Sequence, residues 1–145
     1  MKIYEVDMKN IAKIEYFITG LRHLIPQLSS SAEEITHDDL LDMIRSDSTH
    51  IFVAEHEDEI IGTLSLVMFK IPTGIRAWIE DVVVDETARG LGAGQALNEH
   101  AIAFAQKHGA RTIDLTSRPS REAANKLYQK IGFELRESNL YRFKC

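Results

Sequence analysis

The stretch Trp78–Leu97, WIEDVVVDETARGLGAGQAL, limits what this chain can fold into more than any other. Ile79, Val82, Val83 and Val84 are strand formers, and Asp85-Glu86-Thr87 closes the run with turn chemistry. Gly90, Gly92 and Gly94 then fall on every second residue, where the apolar spacing passes from strand-like to helix-like. Glycines at that place strip the first helical turn of side chains. They leave unpaired N–H groups and a positive dipole end that can hold an anion, most naturally a pyrophosphate. Arg89 adds a fixed charge beside them. The spacing excludes two common nucleotide loops. G-x-G-x-x-G fails because Gln95 stands where its third glycine belongs, and no Gly-Lys-Ser/Thr is present for a Walker loop.

The pattern that fits is Arg-x-x-Gly-x-Gly, read as Arg89, Gly92 and Gly94. With IEDVVVD before it and NKLYQKIGFE at 125–134, it resembles the GNAT superfamily of acyl-CoA-dependent N-acetyltransferases. The two motifs are independent, and about 30 residues separate them, as a strand–helix–strand–helix unit requires. The resemblance covers most of residues 50–135 and reaches the first 45 by pattern only. It implies an α/β (α+β mixed) fold, with residues 1–145 as a single N-acetyltransferase domain. The central mixed sheet would have an antiparallel N-terminal meander, a parallel strand–helix–strand unit and helices on both faces.

The same resemblance implies acetyl-CoA as co-substrate, no metal, and transfer to a primary amine of a small molecule or peptide through a ternary complex. It assigns the pyrophosphate to Arg89, Gly90, Leu91, Gly92, Ala93 and Gly94. The backbone of Val82 and Val84 would pair with the pantetheine amides, and Asn125 would steady the cofactor further along. Transfer to an amine needs the ammonium deprotonated, the thioester carbonyl polarised and the departing thiolate protonated. Tyr128 matches the family tyrosine that faces the sulfur and is the candidate acid. Glu80 is the candidate base, directly or through water. Asp81 competes with it, because a one-residue slip exchanges the faces of a strand. The N–H of Val82 is available to the carbonyl oxygen. A non-catalytic acyl-CoA-binding sensor on the same fold is the alternative.

In chain order, Lys2–Val6 reads as a strand, followed from Asn10 by a helix with Ile11, Ile14, Ile18, Leu21 and Ile25 on one stripe. Pro26 and Ser29-Ser30-Ser31 predict a loop, and Asp38–Arg45 a second helix capped near Thr36. Glu33, Glu34, Asp38, Asp39 and Asp42 form either an acidic rim for a cationic amine or a solvated helix start. Ile51–Glu55 and Ile60–Phe69 are strands joined through His56–Glu59 as a hairpin without a good two-residue turn signature, and Lys70–Ile75 is a further connection. In the strand 76–84 the alternation slips between Glu80 and Val82, which predicts a β-bulge at or beside Asp81. The helix after the glycines carries Leu91, Leu97, Ala101, Phe104 and Ala105 on one side and stops at Gly109. Thr112–Thr116 follows as a strand, parallel to 76–84. The last helix, with Ala124, Leu127, Tyr128 and Ile131, ends in a Schellman stop at Gly132-Phe133, and 134–143 makes a final strand or hairpin.

A net charge of −5 without a basic run argues against nucleic acid, and no apolar run approaches the roughly 18 residues of a membrane span. The one cysteine, Cys145, agrees with a reducing cytoplasm, and a homodimer is allowed. The histidines at 23, 37, 50, 56, 100 and 108 show no metal-ligand spacing, and Ser117 and Ser120 look like turn and cap residues. Arg118 and Arg121 flank a helix start and face either solvent or an anionic group.

Overall fold

Apolar alternation along residues 49–84 produces three long strands, and these build the frame on which the rest packs. A computed structural model describes all residues from 1 to 145. The strands are β1 (Lys2–Val6), β2 (Thr49–His56), β3 (Glu59–Ile71), β4 (Gly74–Val84) and β5 (Ala110–Asp114). They form one sheet in sequential order. β1 to β4 are antiparallel, and β5 runs parallel to β4 because a helix crosses between them. The helices are α1 (Ile14–Leu28), α2 (His37–Arg45), α3 (Ala93–Lys107) and α4 (Glu122–Ile131).

The sheet separates two cores. Phe52, Leu64, Leu66, Ala77 and Ile79 pack with Ala93, Leu97, Ala101 and Ala105 of α3 on one face. Val53, Ile60 and Val83 pack with Phe17, Ile18, Leu21 and Leu24 of α1 and Leu40 of α2 on the other. Each fully buried Leu or Phe contributes on the order of 1.5–3 kcal/mol relative to its exposed state, so both helical layers are anchored. α2 starts with a capping box, in which Thr36 and Asp39 bond each other's backbone N–H. α4 ends in the expected Schellman geometry: Phe133 N–H reaches the Tyr128 carbonyl at 2.9 Å and Gly132 N–H the Gln129 carbonyl at 3.1 Å.

The structure corrects the sequence reading in several places. α1 runs through Pro26 to Leu28. A proline this near the C-terminus removes a single helical donor, and the buried stripe upstream holds the turn in place. The stripe itself is centred on Phe17, Ile18, Leu21 and Leu24 rather than on Ile11, Ile14 and Ile25. His56–Glu59 is the expected hairpin, and a tight one although no two-residue turn signature marks it: Glu57 and Asp58 take φ of 51° and 62°. Both central residues are left-handed, the type I′ arrangement whose twist suits paired strands. Lys70–Ile75 is mostly strand, because β3 and β4 pair as far as Ile71 and Gly74. Leu91 is half exposed on the turn before α3 and does not belong to that helix's apolar side. β5 is as long as expected but lies two residues earlier, from Ala110 to Asp114. Residues 134–145 form neither strand nor hairpin.

Candidate active site

The site begins where β4 and β5 part. They pair from Ile75 to Trp78 on β4 and from Ala110 to Asp114 on β5, and no further. From Ile79 to Val84 the β5 side of β4 is therefore an open strand edge inside the molecule. A cleft of about 620 Å³ lies along it, lined by Ile79–Val82 on one wall and Leu115–Arg118 with Tyr128 on the other.

A bulge shapes that edge. Thr63 pairs with Val83 and Ser65 with Glu80, so Asp81 and Val82 together oppose Leu64. Asp81 takes φ of 50°, a conformation that aspartate tolerates better than most residues. The extra residue inverts the faces. Ala77 and Ile79 belong to the α3-side core, Val82 and Val84 are packed against that same core, and Val83 points to the α1 side. An unbroken strand would have turned Asp81 into the α3-side core; the bulge puts both Glu80 and Asp81 on the cleft surface. Trp78 Nε1–H donates to Glu80 Oε1 at 2.6 Å and fixes that carboxylate's orientation.

The chain then enters the glycine turn. Gly90 and Gly92 have φ of 87° and 80°, and no atom lies within 4 Å of where a Cβ would stand on either. Gly92 is the N-cap of α3. The first helical bond runs from Ala96 N–H to the Gly92 carbonyl, so the N–H groups of Ala93, Gly94 and Gln95 have no partner. Asn98, buried in α3, donates from Nδ2 to the Gly94 carbonyl at 2.8 Å and braces the turn from behind. Arg89 lines the cleft beside this anion-shaped cradle. The three-glycine spacing thus yields an exposed helix N-terminus with room beside it, which fits a pyrophosphate.

Tyr128 stands on the opposite wall. Its ring is 7% exposed and meets Phe133 edge-on at 5.9 Å, while its hydroxyl makes no hydrogen bond to the protein and borders the cleft. Burial raises its pKa above the ordinary tyrosine value, with the Arg121 charge opposing, so it is a protonated donor at neutral pH. Asn125 spends its Nδ2 on the carbonyls of Arg118 and Arg121, both at 2.9 Å, and so holds the β5–α4 loop in place.

Other residues at the site carry no sequence signal that marks them. Gln27, Leu28 and Ser29, from the end of α1, close one side of the cleft. Gln27 Oε1 accepts from Glu86 N–H at 3.0 Å, and Asp85 holds the turn through Thr87 N–H, Thr87 Oγ1–H and His23. These bonds lower the Asp85 pKa well below the carboxylate range, the Thr87 hydroxyl chiefly. They join α1 to the strand end that feeds the glycine turn. A buried Ser117 Oγ lacks a partner within the protein. Of the acidic residues of the α1–α2 region, Asp39 serves the capping box and Glu34 pairs with Arg22 at 3.2 Å.

Known proteins share this fold. The Acetyltransferase (GNAT) family model matches residues 8–133. A putative acetyltransferase from Agrobacterium tumefaciens superposes with a TM-score of 0.85 over 99% of this chain and all of its own, at 22% identity. An uncharacterized N-acetyltransferase of Methanocaldococcus jannaschii is 38% identical over 42% of this chain and 27% of its own length. Glucosamine 6-phosphate N-acetyltransferase of Trypanosoma brucei brucei is 34% identical over 63% of each chain. The matches thus span about a quarter and somewhat under two thirds of these two curated relatives.

Proposed function

The chain belongs to the GNAT acetyltransferase family, and from that premise we propose that it moves the acetyl group of acetyl-CoA to a primary amine within a ternary complex. The observation that carries this reading is the continuous open edge of β4. It leads from the Glu80–Asp81 bulge straight to the unpaired N–H groups at the start of α3, with the Tyr128 hydroxyl across the same cleft. Acetyl-CoA supplies an activated acyl group and a thiol leaving group. The main chain of Val82 and Val84 offers strand-like pairing to amides, and Gly90–Gln95 with Arg89 offers donors and charge to phosphates. Tyr128, neutral at physiological pH, donates its proton to the departing thiolate. Glu80, held by Trp78, accepts the ammonium proton of the acceptor, directly or through water, with Asp81 as its rival. The reaction unit is one domain over residues 1–145, working in the cytoplasm without a metal.

For the acceptor, Arg118, Arg121 and Arg142 line the cleft and have no ion-pair partner. An amine that also carries an anionic group suits them, and the name of the trypanosome relative makes glucosamine 6-phosphate the first to try. The test is thiol release from acetyl-CoA across a panel of amines that pairs glucosamine 6-phosphate with glucosamine. Amine-dependent release supports an acetyltransferase. A folded protein that binds CoA and releases no thiol with any amine is a binding module instead.

A further inference from the structure

Three polar side chains are buried, those of Thr63, Asp85 and Asn98. The first two are satisfied: the Thr63 hydroxyl donates to the Phe52 carbonyl, and Asp85 accepts from Thr87 and meets His23. Asn98 is not. It is fully enclosed in α3, where Leu97 and Ala101 are buried beside it, and its Oδ1 finds no partner in the protein. Both helix propensity and burial disfavour asparagine at such a position. It forms helix less readily than leucine, and an enclosed amide oxygen without a donor forfeits its hydration. Leucine branches at the same carbon with as many heavy atoms and carries nothing to satisfy. A residue that breaks both rules is expected to serve a site rather than the fold.

The other end of the amide shows what it serves. Nδ2 donates to the Gly94 carbonyl at 2.8 Å, one turn earlier. In a regular α-helix that carbonyl already receives the Asn98 main-chain N–H, so the helix does not require the second bond. The Gly94 carbonyl shares its peptide unit with the Gln95 N–H. That N–H is one of the three donors left free at the helix start, because the first helical bond runs from Ala96 to Gly92. A donor at the carbonyl end of a peptide polarises it and strengthens the N–H at the other end. The surroundings hold the same peptide without blocking it. The Gln95 side chain runs along the helix to Glu99, at 2.8 Å, and accepts from Lys130 of α4 at 3.4 Å. A Cβ on Gly94 would stand 3.5 Å from Leu127 and 3.7 Å from Val84, so the bare backbone sits close to both α4 and β4.

We infer that Asn98 is a positioning residue of the anion cradle, which orients and polarises the Gly94–Gln95 peptide so that the Gln95 N–H meets a phosphate oxygen. The inference rests on reading the cradle as the CoA pyrophosphate site. Asn98 itself touches no ligand. It lies enclosed behind the turn and acts through that one peptide.

Two substitutions separate this role from packing. Asn98→Leu keeps the branched outline and removes the donor. Asn98→Thr changes the outline and keeps a donor, because a helical threonine hydroxyl bonds the carbonyl four residues earlier. Losing a charge-assisted donor outright weakens binding about tenfold, and a donor left in place but tilted or depolarised loses part of that. Isothermal titration with CoA should therefore show Kd raised about three- to tenfold for Asn98→Leu and less than about twofold for Asn98→Thr. Thermal melting should place Asn98→Leu at or above the wild type, so that affinity and stability move in opposite directions. A purely structural asparagine would move them together. A wild type that binds CoA, with a folded Asn98→Leu variant within threefold of it, overturns the inference and leaves the cradle standing. So does a folded Asn98→Thr variant that loses as much affinity as Asn98→Leu. A folded wild type that does not bind CoA overturns the cradle and the inference together. If Asn98→Leu does not fold, Asn98→Ala replaces it under the same threefold criterion.

Discussion

Two glycines at opposite ends of α3 allow the anion site to be tested apart from the fold. Gly92, at the helix start, has φ of 80°; Gly109, just past its end, has φ of 83°. Alanine at either must adopt the same left-handed backbone, at about 1–2 kcal/mol. Neither new methyl clashes: the one at Gly92 meets no atom within 4 Å and the one at Gly109 meets only Ile75 Cδ1, at 3.6 Å. For a chain near this length, each kcal/mol lowers Tm by about 2–4 °C, so both variants should lose a similar few degrees and stay folded. CoA affinity should separate them. The methyl at Gly92 stands in the space beside the unpaired N–H groups of Ala93–Gln95, whereas Gly109 lies roughly 22 Å away along the helix. Losing even one charge-assisted hydrogen bond is worth about 1.5–3 kcal/mol, a tenfold or greater rise in Kd. Isothermal titration with CoA should therefore show at least about a tenfold loss for Gly92→Ala and less than about twofold for Gly109→Ala. Matched Tm losses with matched CoA affinities would refute the cradle.

Three further outcomes bear on chemistry and stability. Tyr128→Phe keeps the ring against Phe133 and should leave Tm nearly unchanged while lowering kcat by roughly 10²-fold, with kcat measured at saturating acetyl-CoA. Its pH profile should also lack the alkaline decline above the usual tyrosine range that the raised pKa gives the wild type. Glu80→Gln retains an oxygen for Trp78 Nε1–H and should keep CoA affinity, yet lose turnover at neutral pH and recover part of it as the amine deprotonates near pH 10; Asp81→Asn should show no such recovery. Asp85 titrates well below its unfolded value of about 3.9, so its contribution is present above that pH and disappears as pH falls through the folded value. Urea midpoints for Asp85→Asn should accordingly fall at pH 7 and lose part of the wild-type decline below about pH 4.

Local chemistry wrote the glycine turn, the helix cap at Thr36 and the Schellman stop at Gly132 into short stretches, and all three read correctly from the residues. The bulge at Asp81 was legible for a related reason: a slip in two-residue alternation has no other economical cause. Which carboxylate the bulge would favour was not legible, because a bulge places adjacent residues on a surface that regular geometry would split between two faces, and both Glu80 and Asp81 border the cleft. Gln27, Asp85 and His23 were invisible for a different reason. Their partners lie about 60 residues away, and nothing in a helix-face glutamine or a half-exposed histidine announces a contact at that range. The C-terminal arm is the instructive failure. Residues 134–143 read as a final strand or hairpin, but the segment pairs with no strand: no main-chain hydrogen bond holds it, and Leu140–Phe143 lie beside Trp78, Glu80 and Thr116. A periodicity of two states what a segment can pair as; it does not supply the edge that the pairing needs, and a segment that finds none stays out of the sheet.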